Sequence, residues 1–288
     1  MTARGRGRLW LGVAYAIALG AACVASTLSV GELLWQTAWL DLVGTLVIFG
    51  FSVSFNNSSM YDPYWSLVPI VIATYWLIER PGDLSVAPLV MVGLIAFWGL
   101  RLTGNFLRGW PGLAHEDWRY VNIRNATGKA YWLASFSGIH LFPTLIVFVS
   151  MVGPYEALRA EMPLNLGFWL ATLVTAGAVI LETVADEQLR AFVTSRESSG
   201  QILNHGLWRI SRHPNYLGEL GFWWGLSLYG ISAAPHAWWV FVGPVAMTAM
   251  FVFASIPMLD KRSLSRRPGY AEHMAQVPAL FPWPRRRR

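Results

Sequence analysis

Long apolar runs follow one another along this chain, separated by short polar stretches. They lie near residues 9–29, 37–56, 64–79, 84–105, 131–153, 164–187, 216–233 and 237–257. About 20 apolar residues suffice for one membrane helix. The third and seventh runs are short or glycine-rich, so the pattern predicts eight spanning helices, with seven as the alternative. The period-2 alternation of a membrane β-barrel is absent, which leaves helices as the spanning solution. The predicted fold class is an all-α, polytopic membrane bundle read as a single domain over 1–288. No internal repeat interrupts it.

The polar residues that break the runs carry the candidate chemistry. Asp41 sits in the second run, near its outer end. The segment NNSSMYDPYWS then sets Tyr61, Asp62 and Tyr64 at the mouth of the third helix. Asp62 before Pro63 reads either as a helix cap or as a proton donor at a pocket mouth. In the fourth helix Trp98, Arg101, Asn105 and Arg108 recur at steps of three and four, so they share a face. An arginine at that depth is costly unless it is paired, snorkels or faces water. It therefore reads as a snorkelling residue or as the contact of an internal anion. Residues 106–130 form a polar loop in which Glu116, Asp117, Arg119, Tyr120 and Arg124 alternate in character. The loop suits an interfacial amphipathic segment or a phosphate contact through Arg119 and Arg124. His140, beside Pro143, reads as hydrogen-bonded packing ahead of a metal ligand. Glu182, Asp186 and Arg190 follow at i, i+4 and i+8, either as an ion-pair ladder or as functional groups at membrane depth.

The most polar entry into an apolar run is residues 204–221, NHGLWRISRHPNYLGELG. It concentrates Arg209, Arg212, His213, Asn215, Tyr216 and Glu219 ahead of a Trp-rich helix. Gly218 and Gly221 would admit close approach of a backbone or a flat ligand. The last helix is followed by Lys261, Arg262, Arg266 and Arg267, and by short apolar pieces suited to folding back on the membrane surface.

Composition sharpens this picture. The chain is 55% hydrophobic with a mean hydropathy of +0.41, outside the soluble range. With the N-terminus inside, nearly every Lys and Arg falls in inner segments, including Arg4, Arg6, Arg8, Arg108, Lys129, Arg196 and the terminal Arg285 to Arg288. This is the asymmetry of the positive-inside rule, and it places both termini in the cytoplasm. The net charge of +6 then needs no nucleic acid, and the final arginines suit lipid headgroups or retention. Sequon-like patterns at Asn56 and Asn57 fall on the inner side, away from glycosylation. RGRGRLW and the run behind it imitate a signal peptide, but the expectation is an uncleaved first helix. The single cysteine, Cys23, excludes an internal disulfide and a cysteine-based metal site. HxxxH, P-loop, G-x-S-x-G and Rossmann fingerprints are all missing, so no metal is expected.

GLWRISRHPNYLGELGFWWG, with DEQLRAF upstream and a Pro-Gly-Tyr tail downstream, resembles the bacterial membrane proteins that share the steroid 5-alpha-reductase C-terminal domain. The resemblance runs over roughly 90–284. R-H-P-N-Y-x-G-E also marks a wider superfamily with isoprenylcysteine carboxyl methyltransferases, phospholipid methyltransferases and sterol C14-reductases. The reductase branch implies an NADPH pocket among the C-terminal helices of a bacterial inner-membrane protein. It implies cofactor-side roles for Arg101, Asn105, Arg119, Glu182, Asp186, Arg190, Arg212, His213, Asn215, Tyr216, Glu219, Lys261 and Arg262. The steroid enzymes carry a Gln-Glu pair before the third helix and a tyrosine on the fourth. Here those places hold Tyr61-Asp62 and Trp98, which makes them the candidate catalytic positions and sets a steroid substrate in doubt.

The expectation is an NADPH-dependent reductase of a hydrophobic conjugated carbonyl or alkene, with Tyr61 or Asp62 as hydrogen-bond donor. The alternatives are an S-adenosylmethionine-dependent methyltransferase of a lipid or lipidated thiol, and a non-catalytic lipid-binding protein. Expected partners are a hydrophobic small-molecule or lipid substrate and membrane lipids, with no nucleic acid and no obligate protein partner.

Overall fold

The computed structural model describes residues 1–80, 84–195 and 200–281. Arg196, Trp283 and Arg285 to Arg288 lie outside the described residues. Among the described residues every regular element is helical. Six helical stretches are long and apolar enough to cross a bilayer: Ala3–Leu28, Leu33–Ser54, Val86–Gly109, Trp118–Arg159, Leu166–Ser195 and Trp238–Arg266. The chain is thus a multi-pass membrane protein. The other two predicted runs are also helical but differ in kind. Tyr64–Glu79 has 16 residues, about 24 Å at 1.5 Å per residue, short of a hydrocarbon core of roughly 30 Å. Pro214–Ala233 is rich in Gly, Trp and Tyr, and over half of its residues are buried in protein.

The chain divides into two compact units, Met1–Met151 and Val152–Arg288. In the first, α1 (Ala3–Leu28) starts at Thr2, whose hydroxyl accepts the Gly5 N–H, and packs along α2 (Leu33–Ser54). α3 (Tyr64–Glu79) pairs with α4 (Val86–Gly109). They meet where Gly99 leaves room for the Ser66 carbonyl, 2.2 Å from where a Cβ would stand. Arg4 and Arg8 donate to the carbonyls of Leu107 and Arg108. They cap the otherwise unsatisfied end of α4 and complement its dipole. The predicted inner arginines of α1 and α4 therefore share one end of this unit. The 106–130 loop contains α5 (Trp118–Thr127), capped by Asp117. A helical run follows through α6 (Tyr131–Ser135), a π-helical turn at Phe136–Leu141 and α7 (Phe142–Ser150).

The second unit is built around α9 (Leu166–Ser195) and α10 (Pro214–Ala233). Gly218, Gly221 and Gly225 of α10 bring it against Ala178, Glu182 and Thr175 of α9. The expectation that these glycines permit close approach holds, and the approaching group is the α9 backbone. α8 (Val152–Arg159) adds a second such crossing, Gly153 against Gly230. α11 (Val242–Met250), a π-helical turn at Phe251–Ser255, α12 (Ile256–Arg266) and α13 (Tyr270–Gln276) complete the unit.

Candidate functional site

In the second unit the polar segment before α10 is held from both sides. Gly206, at φ +58°, turns the chain against α9. There the Leu207 N–H donates to the Gln188 side chain and the Trp208 indole donates to the Ala185 carbonyl. On the other side the C-terminal tail returns as an extended strip. Arg212 and His213 donate their backbone N–H groups to the carbonyls of Pro278 and Ala279, and the Ser211 hydroxyl also donates to Ala279. The sequence suggests a tail folded back on the membrane surface; what the structure shows is the tail docked on residues 211–213.

Asp260 is the hub of this arrangement. It accepts from the Arg212 guanidinium at 2.7 Å and from the Tyr270 hydroxyl at 2.8 Å, and it lies 3.1 Å from His213 Nε2. Arg212 also donates to the Val277 carbonyl at 2.6 Å and is 7% exposed. A buried arginine is tolerable when its donors are satisfied this fully. Burial, followed by the nearby Asp260 charge, pushes the Tyr270 hydroxyl up to about 12. Burial, followed by repulsion from Arg212, lowers His273.

Beside the hub opens a polar cleft of about 340 Å³. Arg212, His213, Asn215 and Tyr216 line one side of it. Arg262, Arg266 and Arg267 line another, and Trp208 and Tyr270 add aromatic wall. Asn215 donates to Asp186 at 3.2 Å, and His213 and Tyr216 stack with ring centroids 5.5 Å apart. Glu219 accepts from the Trp223 indole at 2.7 Å, and Glu182 is buried where α9 meets Gly218. Arg190 pairs with Glu187. On the Glu182–Asp186–Arg190 face, Asp186 is met by Asn215 from α10 and Arg190 by Glu187 of its own helix. Lys261 is exposed and is not among the residues lining the cleft.

The first unit holds the other candidates. Tyr61 is buried, and its hydroxyl lies 2.8 Å from Thr144 Oγ1. Thr144 donates to the His140 carbonyl, so Tyr61 is the donor of that pair. Asp62 does not cap α3, since Pro63 holds the cap position without a side-chain bond. Instead its carboxylate accepts from the Tyr120 hydroxyl at 2.5 Å. Burial raises the Asp62 carboxyl to about 6, against the lowering influence of Arg119. Arg119 is bonded to Asp117 at 2.8 Å. Trp98 is fully buried, edge-on to Trp65. Asn105 accepts from Arg108, as their shared face predicts, and Arg101 is partly buried one turn deeper on α4.

The loop that presents Tyr61 and Asp62 is tightly anchored. Asn57 donates to the carbonyls of Leu113 and His115, which removes it from the surface. Glu116 accepts from the Ser58 N–H, Tyr131 and Arg124, and the Arg124 guanidinium lies 3.7 Å from the Tyr131 ring centre. Arg124 is therefore held in a structural pair. His140, on the π-helical turn, places Nδ1 3.0 Å from the Ser135 carbonyl. That carbonyl fixes the proton on Nδ1, leaving Nε2 to accept from the Ser52 hydroxyl at 3.0 Å. This is hydrogen-bonded packing, as its sequence context predicts.

The predicted site thus falls into two sets. Tyr61, Asp62, Trp98, Arg101, Asn105 and Arg119 belong to the first unit. Glu182, Asp186, Arg190, Arg212, His213, Asn215, Tyr216, Glu219, Lys261 and Arg262 belong to the second. Asp260, Tyr270, Trp208 and Tyr120 are partners that sequence reasoning missed. The one available signal for Asp260 was an acid standing directly before a basic run.

The chain is similar to "Uncharacterized protein C594.04c" of Schizosaccharomyces pombe, with 28% identity over 261 residues, covering 82% of this chain and 76% of that protein. No solved structure matches it. The matched family profile runs over residues 48–277, from the end of α2 through α13. It takes in the Tyr61-Asp62 loop, the α9–α10 pair and the Asp260 hub alike, and the chain belongs to that family, described as "Protein of unknown function (DUF1295)" and grouped with the steroid 5-alpha-reductase-like proteins.

Proposed function

We propose that this protein is a membrane-embedded, NADPH-dependent reductase of a hydrophobic conjugated carbonyl or alkene. The observation that carries the reading is the cleft of the second unit, whose lining brings Arg262, Arg266 and Arg267 together with Asn215, Tyr216, Trp208 and Tyr270. Clustered guanidinium groups suit phosphate oxygens, and flat aromatic walls suit a nucleoside base. S-adenosylmethionine has no phosphate and makes no use of such a set, which favours the dinucleotide. The residues fit the group: Arg262, Arg266 and Arg267 would hold phosphates, and Asn215 and Tyr216 the nucleoside. Arg212 and His213 act from behind by fixing the cleft wall to Asp260.

Bound NADPH supplies the hydride. The chain's own part is to hold the proton that balances the added electrons. Asp62 supports that role: with its carboxyl near 6 it exchanges a proton close to neutral pH. The Tyr120 hydroxyl, donating to Asp62, holds the carboxyl in place. Tyr61, committed to Thr144, suits a positioning role better than proton donation. Residues 90–284, which resemble the reductase branch, support the reading further.

The test is thermal denaturation of the detergent-solubilised full chain with NADPH, NADH or S-adenosylmethionine. Ligand at about 100 times its Kd adds roughly 2.7 kcal/mol of stability. NADPH raises the melting temperature of the native protein, and the Arg262→Ala/Arg266→Ala variant loses most of that rise. Stabilisation by S-adenosylmethionine alone would overturn the reading in favour of a methyltransferase.

A further inference from the structure

The first unit contains a cavity that the proposed reductase chemistry does not use. It lies between α1, α2 and α3 and has a volume of about 180 Å³. Its wall is mostly apolar; the hydroxyls of Tyr15, Ser26, Thr37 and Tyr64 on it already donate to protein acceptors, Tyr75 on it is partly exposed, and Asp41 enters from α2. Asp41 is 5% exposed. Its Oδ1 accepts from the Tyr64 hydroxyl at 2.9 Å, and the same hydroxyl lies 2.8 Å from the Asp41 carbonyl. Its other oxygen, Oδ2, is buried and has no hydrogen-bond partner among the described residues. A buried polar atom left this way costs about 1–3 kcal/mol, and a carboxyl at membrane depth costs more. An apolar residue at position 41 would avoid the cost, so a carboxyl at this place calls for a partner.

The cavity itself describes that partner. A dry apolar cavity of about 150 Å³ is enough to admit benzene, so this one has room for a ring or a short stretch of chain. Two of its lining residues, Leu19 and Val71, are 50% and 46% exposed on the outer surface of α1 and α3. Both helices are apolar along their lengths, so the opening faces hydrocarbon and an occupant enters from the bilayer. Among the described residues of this wall, Asp41 Oδ2 is the buried side-chain polar atom without a partner. An ammonium group would need three acceptors and would suit only an ionised carboxylate. A ketone would suit only the protonated acid. A hydroxyl can donate to the carboxylate or accept from the acid, and it satisfies Oδ2 in either state.

We infer that the α1–α2–α3 cavity is a binding site for a membrane-dissolved apolar alcohol, whose hydroxyl bonds to Asp41 Oδ2 while its hydrocarbon leaves between α1 and α3. The site belongs to the first unit alone and is independent of the cofactor reading.

The experiment uses the full chain in lipid nanodiscs and a long-chain alcohol carrying a mid-chain diazirine as photoprobe. Dodecanol, dodecylamine, 2-dodecanone and dodecane serve as competitors. Labelling should map to peptides covering residues 15–26 and 64–75. Dodecanol should compete about tenfold better than dodecane, the equivalent of roughly 1.4 kcal/mol, and better than the amine or the ketone. Asp41→Leu should abolish the preference of alcohol over alkane. Asp41→Asn, which keeps a hydrogen-bonding atom, should retain it and guards against a folding defect in the leucine variant. Equal competition by all four compounds, a preference for amine or ketone, or labelling confined to other helices would each overturn the inference.

Discussion

Replacing Gly225 by alanine would place a methyl group in a close contact between α9 and α10. The new Cβ would stand 2.3 Å from Thr175 Oγ1, 2.9 Å from Thr175 N and 3.0 Å from its Cα. Ordinary contact needs about 3.5–4 Å between carbons, so the helices must separate. The threonine hydroxyl cannot swing aside cheaply, because it donates to the Ala171 carbonyl at 2.7 Å. Overpacking of this kind costs about 1–3 kcal/mol, offset by up to about 1 kcal/mol from the better helix propensity of alanine. A net loss of about 1–2 kcal/mol follows, or roughly 2–8 °C in melting temperature at 2–4 °C per kcal/mol. Gly177→Ala, on α9 itself, is the control, since nothing lies within 4 Å of its added methyl. It should be neutral or stabilising. Heating the detergent-solubilised variants and measuring the surviving folded fraction by size-exclusion chromatography checks both. If Gly225→Ala melts at or above the native protein, or Gly177→Ala falls as far, close backbone packing is not what joins these helices.

Three further outcomes follow from other contacts. Asp260→Asn leaves the Arg212 guanidinium buried without its counter-charge, a change worth about 3–5 kcal/mol; limited proteolysis should then cut within residues 267–281, which the native chain protects. Asp62 is raised from an ordinary value near 3.8 to about 6, so the folded state binds its proton more tightly than the unfolded state does. Its stabilising contribution is complete below about pH 4 and is lost as pH rises through 6, and a melting profile across pH 4–7 should lose that slope in Asp62→Asn. Ser52→Ala removes the donor to His140 Nε2 and should cost about 1–3 kcal/mol in thermal stability, whereas Ser54→Ala, whose hydroxyl is exposed and bonded only to its own helix, should cost under 0.5 kcal/mol.

The amino-acid sequence by itself determined that the chain is helical and membrane-embedded, and it located all eight apolar runs. Burial of a continuous backbone in hydrocarbon leaves few alternatives, so length and polarity suffice. Local spacing likewise placed Asn105 with Arg108, and Gly218 with Gly221 on one close-packed seam, because helical period is a property of consecutive residues. What the tertiary structure decided are the pairings between distant segments. Arg212 meets an acid 48 residues downstream, Tyr120 meets Asp62 from 58 residues away, and Tyr64 reaches back across 23 residues to Asp41. An isolated polar residue in an apolar run shows that a partner is needed, and desolvation guarantees as much. Which partner answers depends on helix register and crossing, and these are set by glycine contacts and tail docking that no local pattern encodes. For that reason Asp186 on α9 is met by Asn215 from another helix, and the Asp62 cap became a carboxylate held by a tyrosine.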